Sequence, residues 1–361
     1  MGASRRRRWP WIVGSLAAVV IVAGFLPAVQ ARGKALAVLA EAVGIGFPRP
    51  FAEDIRRTEV SLDGVTGHLY SPQHPAPPIV LLPGAAPLGK DDPRAVRLAR
   101  SLARADRSVF IPDLTLYERR FEAEDLDRIV RSSLALGSHP AAEGDVQLLG
   151  ISYGGSFALV AAADERLRGR LEQVATFGAY WDLVGVIQAV TTGTSLVDGV
   201  RIPWQGHPSA RSILEQAVVG LAPDETQEPL SAALARDEPG GLSPPARAIF
   251  DLLRNEDPSR TRELAEELPP QLEEFLESFS PSSVVEPLDV PVVAMHSTDD
   301  PAVPYGELVR LHGALPEARV VTVSSFRHVD PSTSAPGGWT ALVADAWDAW
   351  RFTSWILEAQ E

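Results

Sequence analysis

Cysteine is absent from this 361-residue chain. That excludes disulfides, a thiolate nucleophile, cysteine metal sites and a lipid-bearing cysteine near the N-terminus. It says little about compartment, because many exported proteins fold without disulfides. Histidine is scarce. His68, His74, His139, His207 and His312 are scattered without metal-ligand spacing, so no metal or other cofactor is expected. Acidic residues are missing from residues 1–34, which hold Arg5, Arg6, Arg7, Arg8, Arg32 and Lys34. The rest of the chain is therefore more acidic than the net charge of −14 implies. A body of that sign repels phosphate backbones, which excludes nucleic acid as a partner. No internal repeat is present.

What remains is ordinary globular material. Hydrophobic residues are 45% and charged residues 22%, and the length suffices for one large α/β domain with an insertion. Residues 11–29 (WIVGSLAAVVIVAGFLPAV) carry no charge. As a helix they would span ~28 Å, about a bilayer core. Arg5 to Arg8 precede them, so the positive-inside bias puts the N-terminus in the cytoplasm and the body outside. The reading is a transmembrane anchor within residues 1–34. The alternative is a signal segment cleaved near Ala31, with Pro27 breaking the helix before the site, and a secreted product. A buried core helix is the third reading. Gly2 does not begin a myristoylation pattern, because Arg6 stands at the Ser/Thr position.

Residues 35–56 read as a short amphipathic connector closed by Pro48 and Pro50. Residues 57–70 read as a hairpin turning at Asp63-Gly64. Apolar runs at 79–82, 108–111, 146–149, 174–177, 290–295 and 319–323 then alternate with helical patterns at 93–105, 121–136, 153–167 and 341–358. Continuous apolar strands alternating with helices predict a parallel sheet covered on both faces. Residues 183–286 break this rhythm. They show no clear strand, are rich in Pro, Glu and Arg, and are interrupted by Pro223, Pro229, Pro244 and Pro269. They read as a helical cap over the C-terminal edge of the sheet. The core is then 57–182 together with 287–361.

Gly150-Ile151-Ser152-Tyr153-Gly154 reads G-x-S-x-G. The pattern is short, and its setting gives it weight. A strand candidate ends at Leu149, and the small residues Gly154, Gly155, Ser156 and Ala158 open a helix after it. A serine hydroxyl needs a base to take its proton and an acid to orient that base. Carboxylates stand after a late strand, at Asp299 and Asp300, and His328 follows the last strand.

From about residue 57 to 358 the chain resembles an α/β-hydrolase. His296 to Pro304 (HSTDDPAVP) matches that family's H-G-x-x-D-x-x-V-P, with Ser297 in place of its glycine. The resemblance implies Asp300 as triad acid, with Asp299 and Asp182 as alternatives, and His328 as base. Leu82-Pro83-Gly84-Ala85 stands where the family often has His-Gly. The resemblance implies oxyanion-hole N–H donors at Ala85 and Tyr153. Ser152 as a plain helix N-cap, Asp300 as a turn cap and His328 as a loop residue are the bland readings. His296 reads as structural, as does Asp113, and Lys90-Asp91-Asp92 reads as a helix cap. Tyr180 and Trp181 follow a strand end and read either as pocket lining or as core. Trp339, Trp347, Trp350 and Trp355 read as docking the last helix or facing a membrane.

The implied chemistry is cofactor-free cleavage of an ester or thioester through an acyl-enzyme on Ser152. A small-molecule or lipid-like acyl compound would be the substrate. An acyltransferase on the same fold stays open, as does a membrane-tethered binding protein without turnover.

Overall fold

The computed structural model describes residues 27–42, 44, 54–84, 86–118, 120–284, 288–331 and 338–358. Most of the expected anchor lies outside these. Among the described residues, no helix is long and apolar enough to cross a membrane.

The centre is an eight-stranded sheet built from β1 (Arg56–Leu62), β2 (Val65–Ser71), β3 (Pro78–Pro83), β4 (Ser108–Pro112), β5 (Val146–Ile151), β6 (Leu171–Phe177), β9 (Val292–Ser297) and β10 (Arg319–Val323). Their order is β1-β2-β4-β3-β5-β6-β9-β10. β1 and β2 form the expected hairpin around Asp63-Gly64, β2 pairs antiparallel with β4, and every other pairing is parallel. β3, β4 and β9 are buried along their whole length, which is why apolar residues dominate them. This strand order, with its antiparallel second strand, is that of the α/β-hydrolase fold.

Helices cover both faces. Alternate residues of each strand feed two cores. Val80, Leu82 and Leu148 point into one, which also holds α3 (Ala123–Gly137), α4 (Tyr153–Ala162) and the cap. Ile79, Leu81 and Leu149 point into the other, beneath α2 (Pro93–Arg104) and the closing helix α13 (Gly338–Leu357).

A helix, α1 (Pro27–Ala42), joins that second core. Ala35, Val38, Leu39 and Ala42 repeat at helical spacing, and Ala35 and Val38 are buried. The expected boundary at residue 34 thus falls inside a helix, and Pro27 opens it where a break was expected. Proline lacks only an N–H that a first turn leaves without a helical acceptor. Trp350 Nε1 donates to the Arg32 carbonyl at 2.9 Å, and ion pairs join Lys34 to Asp106 and Glu41 to Arg104.

Between β6 and β9 lie α5 (Leu183–Thr192), α6 (Ala210–Leu221), α7 (Asp224–Arg236), α8 (Pro244–Leu253), α9 (Thr261–Glu266), α10 (Pro270–Ser278) and α11 (Pro281–Val284). Pro223, Pro244 and Pro269 stand at helix starts, but Pro229 lies inside α7. The segment also contains a hairpin of β7 (Thr194–Val197) and β8 (Val200–Pro203), where no strand was expected. Its strands have four residues each, too few to show a period, and turn at Asp198-Gly199.

Candidate active site

The sheet's order reverses at β3. The chain moves from β3 outward to β4, then returns to place β5 on the other side of β3. Such a reversal leaves a crevice at the carboxyl ends of the two strands, where open α/β sheets take their ligands. Both sequence signals fall there: Pro83-Gly84 at the end of β3 and Gly150-Ile151-Ser152 at the end of β5.

Ser152 stands between β5 and α4 with φ 54° and ψ −132°, a backbone conformation strained for any side chain but glycine. The turn is held by its amide, which donates to the Phe177 carbonyl at 2.7 Å. The surrounding glycines leave no choice of residue. A Cβ on Gly150 would lie 2.3 Å from the Gly154 carbonyl oxygen, and one on Gly154 would lie 2.1 Å from that of Leu82. A Cβ on Gly84 would stand 3.3 Å from Ser152 Oγ, so the β3 loop passes directly against the hydroxyl.

Three side chains converge. His328 Nε2 is 2.7 Å from Ser152 Oγ, and His328 Nδ1 is 2.7 Å from Asp300 Oδ2. The other Asp300 oxygen accepts the Ala302 and Val303 amides at 2.8 and 2.9 Å. Burial alone would raise the Asp300 pKa, but the hydrogen bond and charge of His328 outweigh it and the carboxyl is held below its ordinary value. His296, buried beside Asp300, bonds the Val303 carbonyl at 3.1 Å, and burial lowers its pKa. Gly178, with φ +69°, keeps the β6 end clear of the pair: a Cβ there would lie 3.3 Å from the His328 ring.

The alternatives for the acid sit elsewhere. Asp299 is exposed. Asp182 caps α5 through the Val184 amide and pairs with Arg262 at 2.6 Å. Asp92 caps α2, while Lys90 bonds Asp113 at 2.5 Å and ties the loop after β4. Tyr153 is the first residue of α4, with its amide at the helix's positive end. Ala85 lies outside the described residues.

A cavity of about 690 Å³ surrounds Ser152 and His328 and is lined mainly by apolar side chains. Tyr180 and Trp181, expected either as pocket lining or as core, are not among the residues that line it. Both are buried, the Tyr180 hydroxyl donates to the Phe279 carbonyl at 2.8 Å, and the Trp181 amide donates to Glu307. The turn at Gly178 sends the chain down into the core before it reaches them.

Two contributors carried no sequence signal. Trp204, just after β8, donates its indole N–H to the Asp300 carbonyl at 2.7 Å, so the cap hairpin holds the loop that presents the acid. Glu307, on α12 (Gly306–Ala314), is fully buried and accepts the Trp181 and Asp182 amides at 3.1 and 2.8 Å. Burial, against the opposing charge of Arg310, pushes its pKa up to about 7. Among the described residues no group of three or more His, Asp or Glu could hold a metal ion.

No protein-family model and no curated sequence matches the chain. Solved structures do resemble it. An acylaminoacyl peptidase from Pyrococcus horikoshii is 12% identical with a TM-score of 0.47, over 84% of this chain and 40% of that one. A hormone-sensitive lipase from a metagenome library is 13% identical with a TM-score of 0.48, over 97% and 99%. A Pyrococcus furiosus esterase is 10% identical with a TM-score of 0.44, over 85% and 95%. The chain spans about two fifths of the length of the acylaminoacyl peptidases it matches.

Proposed function

We propose that the protein is a serine hydrolase that cleaves a carboxylic ester or thioester through an acyl-enzyme on Ser152. The observation that carries this is the chain of 2.7 Å contacts from Ser152 Oγ through His328 to Asp300. In the proposed sequence His328 Nε2 takes the Ser152 proton as Oγ adds to the substrate carbonyl. Asp300 holds the ring and stabilises its charge. The Tyr153 amide faces the oxyanion, and Ala85 is the second donor that the family resemblance implies. His328 then protonates the leaving alcohol or thiol, and a water it deprotonates releases the acid. Beyond these side chains and amides, the steps need the substrate and one water.

The test is a fluorophosphonate on the full-length protein, read by intact and peptide mass spectrometry, beside hydrolysis of a short p-nitrophenyl ester. One adduct on Ser152 is expected, absent in Ser152→Ala and slowed by at least about a thousandfold in His328→Ala. No adduct and no turnover on folded protein would end the hydrolase reading and favour a binding protein. Acid yield that falls when alcohols are added would point to acyl transfer.

We also propose that residues 11–29 hold the protein at a membrane, with the body outside the cytoplasm. The support is the uncharged run behind Arg5 to Arg8. Full-length mass in an alkali-washed membrane pellet is the expected result. A soluble product cut near Ala31 would show cleavage instead.

A further inference from the structure

The cavity does not stop at the nucleophile. Its wall draws on both cores, which lie on opposite faces of the sheet. Val186, Val190, Leu214, Leu272 and Phe275 come from the cap side. Leu39, Leu81, Leu98, Leu149 and Ile356 come from the side covered by α1, α2 and α13. Ser152 and His328 stand between, at the sheet's edge. The lining therefore extends in two directions from the sheet edge where Ser152 stands, onto both faces of the sheet.

Both directions are apolar. Among the described lining residues the only carboxylate and guanidinium, Asp92 and Arg94, pair with each other at 3.0 Å. Burying an ionised group without a matched partner is costly, so a lining this apolar favours an uncharged substrate. The volume of about 690 Å³ gives room for roughly twenty groups the size of a water or a methylene. One short acyl chain would fill less than half of that.

We propose that the cavity is two-armed and accepts an uncharged ester or thioester with a long apolar chain on each side of the scissile bond. One arm runs beneath the cap and the other between the sheet and α1. This rests on the hydrolase reading and names its substrate class. Ser152 Oγ bonds to the carbonyl carbon and the bond to the leaving oxygen or sulfur breaks, so one arm holds the acyl chain while the other releases the alcohol or thiol. Water completes the turnover, leaving Ser152 as it began.

The experiment uses two ester series on the full-length protein. In one the acyl chain of p-nitrophenyl esters lengthens. In the other the alcohol of alkyl acetates lengthens, with acid release followed by titration. In both, kcat/KM is expected to rise with each methylene, by up to about fourfold per carbon, until an arm is full. Leu98→Trp narrows the arm at α1 and α2, and Val190→Trp narrows the cap arm. Each is expected to flatten one series and spare the other. Matching thermal melts would show that both variants fold. If only one series rises, or both variants flatten the same series, the two-armed reading is overturned. If p-nitrophenyl acetate is not turned over and fluorophosphonate does not label Ser152, the hydrolase reading fails first and takes this inference with it.

Discussion

Asp300 and Asp299 are neighbours in sequence and opposites in environment. Asp300 is buried, accepts two amides and bonds His328, whereas Asp299 is exposed. Asp300→Asn should leave the loop standing but free the imidazole to take the wrong tautomer, and should cut kcat by about 10⁴-fold. Asp299→Asn should change it by less than about twofold. Rates on a short ester, with melts to show folding, would separate the two, and an equal loss in both would sink the assignment. The spacing of this loop was legible in the sequence, because two charged residues before Pro301 invite a turn and the family pattern fixes which one points inward. The places of Tyr180 and Trp181 were not legible. Strand-end position says nothing of direction once a residue with positive φ, here Gly178, intervenes. Trp204 was equally hidden, since nothing local marks an indole whose partner lies about a hundred residues on.

The elements divide along the same line. Strands buried on both faces announced themselves because apolar side chains fill most of their positions, with the few polar ones, such as Gln147 and His296, buried among them. The β7–β8 hairpin did not, although Asp198-Gly199 repeats the turn signal that located Asp63-Gly64. That hairpin has work to do at the site through Trp204. Trp204→Phe keeps the ring and removes the N–H, so the acid loop loses one tie to the cap. A fall of about five- to tenfold in kcat with little change in KM for a short ester is expected, in line with one lost hydrogen bond. An unchanged kcat would make the contact merely incidental. At the turn itself, Gly154→Ala brings a Cβ to 2.1 Å from a backbone oxygen of β3. The strand must move, and we expect a loss of about 3 kcal/mol or more in denaturant midpoints, with activity falling beside it.

At the scale of the whole molecule, one of the ties between cap and core runs through the buried carboxylate of Glu307. Glu307 accepts amides at the start of α5, and Arg310 beside it bonds Gln188 and the Leu196 carbonyl. Its pKa of about 7 lies above the ordinary 4.5 of an exposed glutamate. Between those values the folded chain holds a proton that the unfolded chain has released, so stability falls as pH rises through that window. Melting temperature should drop from pH 5 to 8, and Glu307→Gln, which cannot ionise, should flatten the drop. Parallel curves for the two proteins would count against it. The closing helix α13 is fastened differently. The guanidiniums of Arg319 and Arg351 both stand over the Trp355 ring, at 5.1 and 5.0 Å, while Trp339 and Trp347 stay exposed.

The docking of α1 has a practical side. A soluble fragment designed to shed every hydrophobic N-terminal residue would naturally begin near the prolines at 48 and 50, past Ala42. Such a fragment would keep Ser152, His328 and Asp300 but would leave Leu98 and Ile356 facing water where α1 had covered them. It would label with a small probe, aggregate through its bared flank and misreport which esters the intact protein prefers. Whoever makes this protein should start it no later than Pro27.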